Sequence, residues 1–258
     1  MIIFRGVNRS VNRFGRFLEI LGEIAFLTLQ VINSAVRLRF HYRNTIDQII
    51  RIGIDSLPIA ITTAIFVGMV FATQIVKEFT AFGASSMIGG VMGIALWREL
   101  IPLLTAVVIA GRIGAAISAE IGTMKVTEQI EALEAMSQEP VSFLVTPRVI
   151  AAMLTLPLLV GFGDVVGFFS GFAIAITHNV NPASYFDSAD SMLRTFDITG
   201  GIIKSLVFGF CIGIIGCYMG LSTTSGAKGV GEYTTKAVVY SLITIFIVNY
   251  LLSVAIFQ

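Results

Sequence analysis

The last twenty-two residues, Ala237–Gln258, carry no charged side chain. An α-helix needs roughly 20 mostly apolar residues to cross about 30 Å of hydrocarbon, so this run can span a bilayer. Other runs match it. Ser56–Val76 is uncharged throughout, Leu100–Ala119 is broken only by Arg112, Val149–Thr177 only by Asp164, and Ile202–Thr224 only by Lys204. The chain is therefore expected to be an all-α polytopic membrane protein. Its composition agrees, with 55% hydrophobic and 13% charged residues, where a soluble domain carries about 25% charged. Five spans and their loops use nearly all of the 258 residues and leave no room for a separate soluble catalytic domain.

Charge orients the spans. They are expected near 56–76, 91–119, 148–177, 201–223 and 237–257. With the N-terminus cytoplasmic, segments 1–55, 120–148 and 224–236 hold twelve of the seventeen Lys and Arg, and the outer segments hold only Lys77 and Arg194. Cytoplasmic loops favour positive charge, so this orientation is preferred and the C-terminus falls outside. The uncharged stretch Phe79–Trp97 is read as an outer turn leading into a long second helix. As a span of its own it would leave connections too short for antiparallel neighbours.

Residues 1–50 are expected to form an N-terminal segment, and 51–258 the transmembrane domain. Residues 9–40 read as a helix with a polar stripe: Glu19, Glu23, Gln30, Asn33 or Ser34, and Arg37. Arginines flank both ends, which disfavours a crossing and suits an amphipathic helix in the headgroup plane, with a sixth span over residues 17–36 as the alternative. Glu19 and Glu23 interrupt the apolar part, so a cleaved signal peptide is not expected. No transit-peptide composition is visible, so a bacterial inner membrane is preferred to a chloroplast envelope.

Small residues recur at four-residue spacing: Gly163, Gly167 and Gly171, then Gly209 and Gly213, then Gly216 and Gly220. Such faces let helix backbones approach closely in lipid, and they point to a tight bundle or a dimer. Cys211 and Cys217 read as packed residues of one span rather than a disulfide framework. No phosphate-cradling loop is present. The nearest candidate, Gly220–Gly229, lacks the required Gly-Lys-Ser/Thr order. His41 and His178 fall on opposite sides of the proposed membrane, so no metal site is expected, nor is a nucleic-acid partner.

Residues 120–139 differ from the rest, with five glutamates, one lysine and a helix expected over about 123–138, ending before Pro140. Val126, Ile130, Leu133 and Met136 or Ser137 form an apolar stripe, while Glu128, Glu131 and Glu134 share a polar face. Such acidity suits the anionic inner surface poorly. A groove on a soluble cytoplasmic partner suits it better.

Charge inside a span costs roughly 2.5–3.5 kcal/mol on insertion scales and usually faces a cavity or another charge. Arg98 and Glu99 sit early in the second span, Arg112 near its inner end, Asp164 mid-way along the third, and Lys204 near the outer end of the fourth. Two readings stand beside each other. One is snorkelling for Lys204 and Arg112, with an internal ion pair for Asp164. The other is contact between Arg98 and an anionic head group through its two-pronged guanidinium.

Several blocks together resemble a known family. They are Leu96-Trp-Arg-Glu-Leu-Ile-Pro102, the long run from Ala110-Gly-Arg through Ala119-Glu-Ile-Gly and Thr127-Glu-Gln to Met136, Pro147-Arg148, Leu156-Pro-Leu-Leu159, and Ile203-Lys-Ser-Leu-Val-Phe208. Over about residues 45–257 the chain is similar to the MlaE permeases, membrane subunits of ABC-type phospholipid transporters that work with MCE-domain proteins. The resemblance implies a homodimer with two ATPase subunits on the cytoplasmic face and an MCE-domain ring on the periplasmic face. Some systems add a STAS-domain accessory subunit. ATP and Mg would belong to the ATPase, and this chain would bind no cofactor. Residues 120–139 would be the coupling helix, with Glu120, Thr127, Glu128, Glu131 and Glu134 at the contact. Arg98 and Glu99 would lie by the lipid cavity between protomers. Asp164 belongs to no motif of the family, and Arg112 and Lys204 receive no role.

The expected function is thus a permease subunit moving glycerophospholipid between the inner membrane and an MCE-domain carrier, maintaining outer-membrane lipid asymmetry. The alternative is a proton-coupled secondary transporter using Asp164, Glu99 and Arg112 as a relay. Such carriers often show internal repeats, and none is found. A purely structural membrane anchor would not need buried charges at several depths.

Overall fold

A computed structural model describes residues 13–37 and 42–257. Expectations for residues 1–12 and His41 fall outside that range. The described residues form helices α1 (Arg13–Val36), α2 (Tyr42–Ala81), α3 (Ile88–Ala95), α4 (Ile101–Ile109), α5 (Ala115–Val126), α6 (Gln129–Ala135), α7 (Thr146–Thr177), α8 (Pro182–Met192), α9 (Thr195–Leu221) and α10 (Gly226–Phe257). Short π-helical segments join α3 to α4 (Leu96–Leu100) and α4 to α5 (Ala110–Gly114), and another leads into α7 (Val141–Val145). The second span is thus one rod, Ser85–Val126, kinked twice by wide turns.

Among the described residues, six helices are long and apolar enough to cross a membrane, and one of them lies in α1 (Leu18–Val36). The five sequence-derived spans are all present, each longer than expected. Helix α2 has 40 residues, about 60 Å at 1.5 Å per residue, and overshoots the hydrocarbon by far. Past its end the chain reverses at Gly83, whose φ of +70° a glycine adopts without strain. The expected outer turn after residue 79 is this reversal.

Packing divides the bundle. Helix α2 lies along α7, and α7 along α9, while α5 packs chiefly on α9 and α10. The α2–α7 crossing is backbone to backbone. A Cβ on Gly68 would sit 2.1 Å from the Gly167 carbonyl oxygen, so any side chain there would force the helices apart. The glycine faces of α7 and α9 are consumed inside the chain: Gly171 meets Met92, Gly209 meets Ala152, and Gly220 meets Ile121. One apolar core gathers Ile109, Ile117, Leu156, Phe208 and Ile212. A second gathers Ala64, Ile88, Met92, Ile101 and Tyr185.

The two ends of the bundle differ. One collects the start of α2, the α5–α6 elbow, the start of α7 and the end of α9. There Arg51, Glu120 and Arg148 meet, and Gly122 abuts Thr223. The other collects α3, α8, the start of α9 and the end of α10. Helix α8 lies between the expected third and fourth spans, where the sequence reading placed no element. Its N-cap is Asn181, whose side chain accepts from the Ala183 N–H at 2.9 Å, and Pro182 opens the first turn. Tyr185 and Phe186 clamp it to Phe168 and Phe172 of α7 through ring contacts of 4.7–6.2 Å. Helix α1 docks on the bundle through Leu27 and Val31, and its Glu23 accepts a hydrogen bond from the Tyr218 hydroxyl at 2.7 Å.

Candidate functional site

The densest polar cluster lies at the α8 end, where α9 and α10 meet the first π-helical turn. Pro102 explains the turn. Proline has no N–H, and its ring crowds the carbonyl four residues back, which here is that of Arg98. The helix widens, and the Ile101 N–H reaches back five residues to the Leu96 carbonyl. The Arg98 carbonyl, left without its helical donor, accepts from Lys204 Nζ at 3.0 Å. Helix α9 can come this close because Gly201 faces the Trp97 carbonyl, which a Cβ would approach to 2.2 Å.

Lys204 uses all three of its donors. Besides the Arg98 carbonyl it bonds Glu99 Oε1 at 2.5 Å and Ser253 Oγ at 2.8 Å. Asn249 Nδ2 donates to Glu99 Oε2 at 3.1 Å. Arg98 turns the other way and grips Asp197 Oδ1 with Nε at 2.7 Å and Nη2 at 2.6 Å. Asp197 caps α9 as well, accepting the Arg194 N–H on Oδ2 at 2.9 Å. The Phe257 ring lies beneath both cations, 4.7 Å from Arg98 Cζ and 5.0 Å from Lys204 Nζ. Two positive and two negative groups thus balance. The side chains of Lys204 and Asp197 are 0% and 1% exposed, those of Arg98 and Glu99 31% and 38%. Two buried atoms beside them, Trp97 Nε1 and Asn249 Oδ1, have no hydrogen-bond partner. The snorkelling expected of Lys204 is therefore corrected: the ammonium turns inward, because a carboxylate and a free carbonyl await it there.

The other intramembrane charges lie apart. Arg112, on the second π-helical segment, donates from Nη1 to Ser56 Oγ at 2.6 Å and pairs with Asp55 at 3.5 Å. Asp164 is 1% exposed, and its Oδ1 has no partner. The internal ion pair expected for it is not found among the described residues, and nothing in the structure explains this carboxyl. Among the described residues no direct hydrogen bond or ion pair joins Glu99, Arg112 and Asp164.

At the opposite end, the helix expected over 123–138 is broken in two. Helix α5 runs on to Val126, Glu128 takes a φ of +58°, and α6 covers only Gln129–Ala135. The expected apolar stripe survives at Ile130, which is buried, but Met136 is exposed. Lys125 spans the elbow to Glu131 at 2.6 Å, and this hydrogen bond holds the Glu131 carboxyl below the usual carboxylate range. Thr127, Glu128, Glu131 and Glu134 are all exposed on the elbow. Glu120 lies apart from them: Arg51 takes Oε1, and Arg148 takes Oε2 at 3.0 Å.

Sequence reasoning found Arg98, Glu99 and Lys204 but not their mutual contacts. It missed Asp197, Asn249, Ser253, Asp55 and Arg51. Pro102 at four residues past Arg98, and Asp197 in the first turn of α9, were readable signals.

Fold and cluster define a multi-pass membrane protein with charge stored at depth and an acidic elbow at one end. The family profile described as Permease MlaE matches residues 45–255. A probable ABC transporter permease of Synechocystis is 50% identical over 234 residues, covering 90% of this chain and 89% of that one. Another from Rickettsia conorii is 40% identical over the full length of both chains. Protein TRIGALACTOSYLDIACYLGLYCEROL 1, chloroplastic, of Arabidopsis thaliana is 45% identical, covering 92% of this chain and 68% of its own. The chain belongs to the MlaE permease family, and it is a transporter's membrane subunit rather than an enzyme.

Proposed function

We propose that this subunit moves glycerophospholipid between the bacterial inner membrane and an MCE-domain carrier, and so maintains outer-membrane lipid asymmetry. ATP is hydrolysed on separate ATPase subunits that dock at the α6 end. That end faces the cytoplasm with the N-terminus. The supporting observation is basic: Arg43, Arg51, Lys125, Arg148, Lys228 and Lys236 belong to it. The α8 end and the C-terminus face the periplasm and the carrier ring. Two copies pair through α10, with a lipid cavity between them; some assemblies add a STAS-domain subunit. The name of the Arabidopsis relative contains a glycerolipid, which fits this substrate class.

One observation carries the lipid reading. Arg98 and Glu99 are the partly exposed members of an otherwise buried cluster. Arg98 has five N–H donors, and Asp197 takes only two of them. The remaining prongs suit a phosphodiester. ATPase closure moves the two elbows, the protomers tilt, and the cavity expels its lipid.

The test is purification from native membranes, followed by lipid analysis and transfer to acceptor carrier. Wild-type chain is expected to copurify with an ATPase and with phospholipid. Arg98→Lys, which keeps a cation for buried Asp197 but loses the two-pronged geometry, is expected to lose bound lipid and transfer about tenfold while the complex stays assembled, as for one charge-assisted contact. Normal occupancy and transfer in that variant would remove the head-group site.

A further inference from the structure

We propose that Glu120 is a positioning residue that couples the α6 elbow to α2 and α7, rather than a contact surface for a partner. This rests on the reading that a motor docks at α6.

The packing motivates it. Helix α5 finds its main neighbours in α9 and α10, whereas α2 and α7 lie along each other. At the α6 end, the hydrogen bonds of Glu120 cross that gap. One carboxylate oxygen holds Arg51 of α2, and the other holds Arg148 of α7 at 3.0 Å. Arg148 is buried, its Nη1 donates to the Leu144 carbonyl at 2.9 Å, and its Nε has no partner. Glu120 is therefore the only counter-charge found for that guanidinium among the described residues.

The lever side is equally specific. Glu120 sits six residues before the end of α5, on a continuous helical stretch that transmits displacement stiffly. Beyond it, buried Ile130 and the Lys125–Glu131 bridge fix α6 to α5. A push on α6 thus moves the lower end of α5. The Glu120 carboxylate passes that motion to two helices that α5 barely touches. Without it, the stretch of α5 past the Arg112 contacts to Ser56 and Asp55 would rest chiefly on α9 and α10.

The experiment uses the full complex in nanodiscs and reads ATP hydrolysis and lipid transfer together. In Glu120→Gln, transfer per ATP is expected to fall about fivefold or more, the range of typical coupling energies, while hydrolysis continues. An unchanged ratio overturns the proposal. Arg51→Gln, at an exposed position, is expected to lower the ratio too, and serves if Glu120→Gln fails to fold. A separate readout needs no motor. Spin labels at Asp47→Cys and Gln129→Cys, with Cys211 and Cys217 replaced by serine, report the α2-to-α6 distance. That distribution should broaden in Glu120→Gln, and an unaltered distribution overturns the latch. If wild-type chain recruits no ATPase while the distance still broadens, the docking reading fails and the latch stands.

Discussion

Lys204 shows how one missing atom arranges a site. Pro102 lacks an N–H, so the Arg98 carbonyl is left open, and an ammonium 106 residues away fills it. The same ammonium then neutralises Glu99 within a membrane-spanning segment, where an unpaired charge is costly. Breaking a buried pair by removing one partner is more damaging than replacing both. Lys204→Met is therefore expected to destabilise the fold by about 3 kcal/mol, because Glu99 keeps only Asn249 and Ser253. Lys204→Met combined with Glu99→Leu should recover most of that loss. Thermal unfolding of the two variants in detergent checks the pair. Equal destabilisation in both would mean that the ion pair has no special place in the fold. None of this pairing was legible from the chain, since the partners lie on three different helices. What was legible was the expense of each charge, and hence that each needed a partner. Asp164 marks the limit of that logic, being buried without a partner at Oδ1.

Five of the apolar rods were legible as runs broken by at most one charge, whereas the sixth candidate span, in α1, was read as an interfacial helix. The breaks in the rods were not legible. A helical pattern looks the same on either side of a π-helical turn, so the segments at Leu96–Leu100 and Ala110–Gly114 left no mark beyond Pro102. Helix α8 was missed because its face is short and its anchors are aromatics of α7. The acidic elbow was found as a motif, but its bend was not, because a left-handed glutamate at position 128 has no sequence signal. Past that bend Glu134 is exposed, as are Thr127 and Glu128 before it. A photoreactive probe at Glu134→Cys is expected to label the copurifying ATPase. Labelling of lipid alone would place α6 on the membrane surface instead. The Lys125–Glu131 bridge stiffens the elbow at neutral pH. Its depressed carboxyl makes that contribution complete above the unfolded value and lost as pH falls through the folded one.

Taken whole, the chain leaves one flank unfinished. Only 11% of the apolar window of α10 is buried, the least of the six candidate spans. Ile243, Phe246, Ile247 and Tyr250 stand out from it, while its other face closes the charged cluster through Asn249 and Ser253. A second copy on that flank would roof the cluster and enclose Arg98 and Glu99. Tyr250→Cys, in a background without Cys211 and Cys217, is expected to give a disulfide-linked dimer on oxidation in membranes. A monomer band alone would argue that α10 faces lipid. The cluster's two cations and two anions carry a final implication. Moving one elementary charge through a membrane potential of 100 mV involves about 2.3 kcal/mol. A group with no net charge feels almost none of that. Voltage across the membrane is therefore expected neither to drive nor to stall a displacement of this cluster, so any motion that carries it would run alike in an energised cell and in a vesicle with no gradient at all.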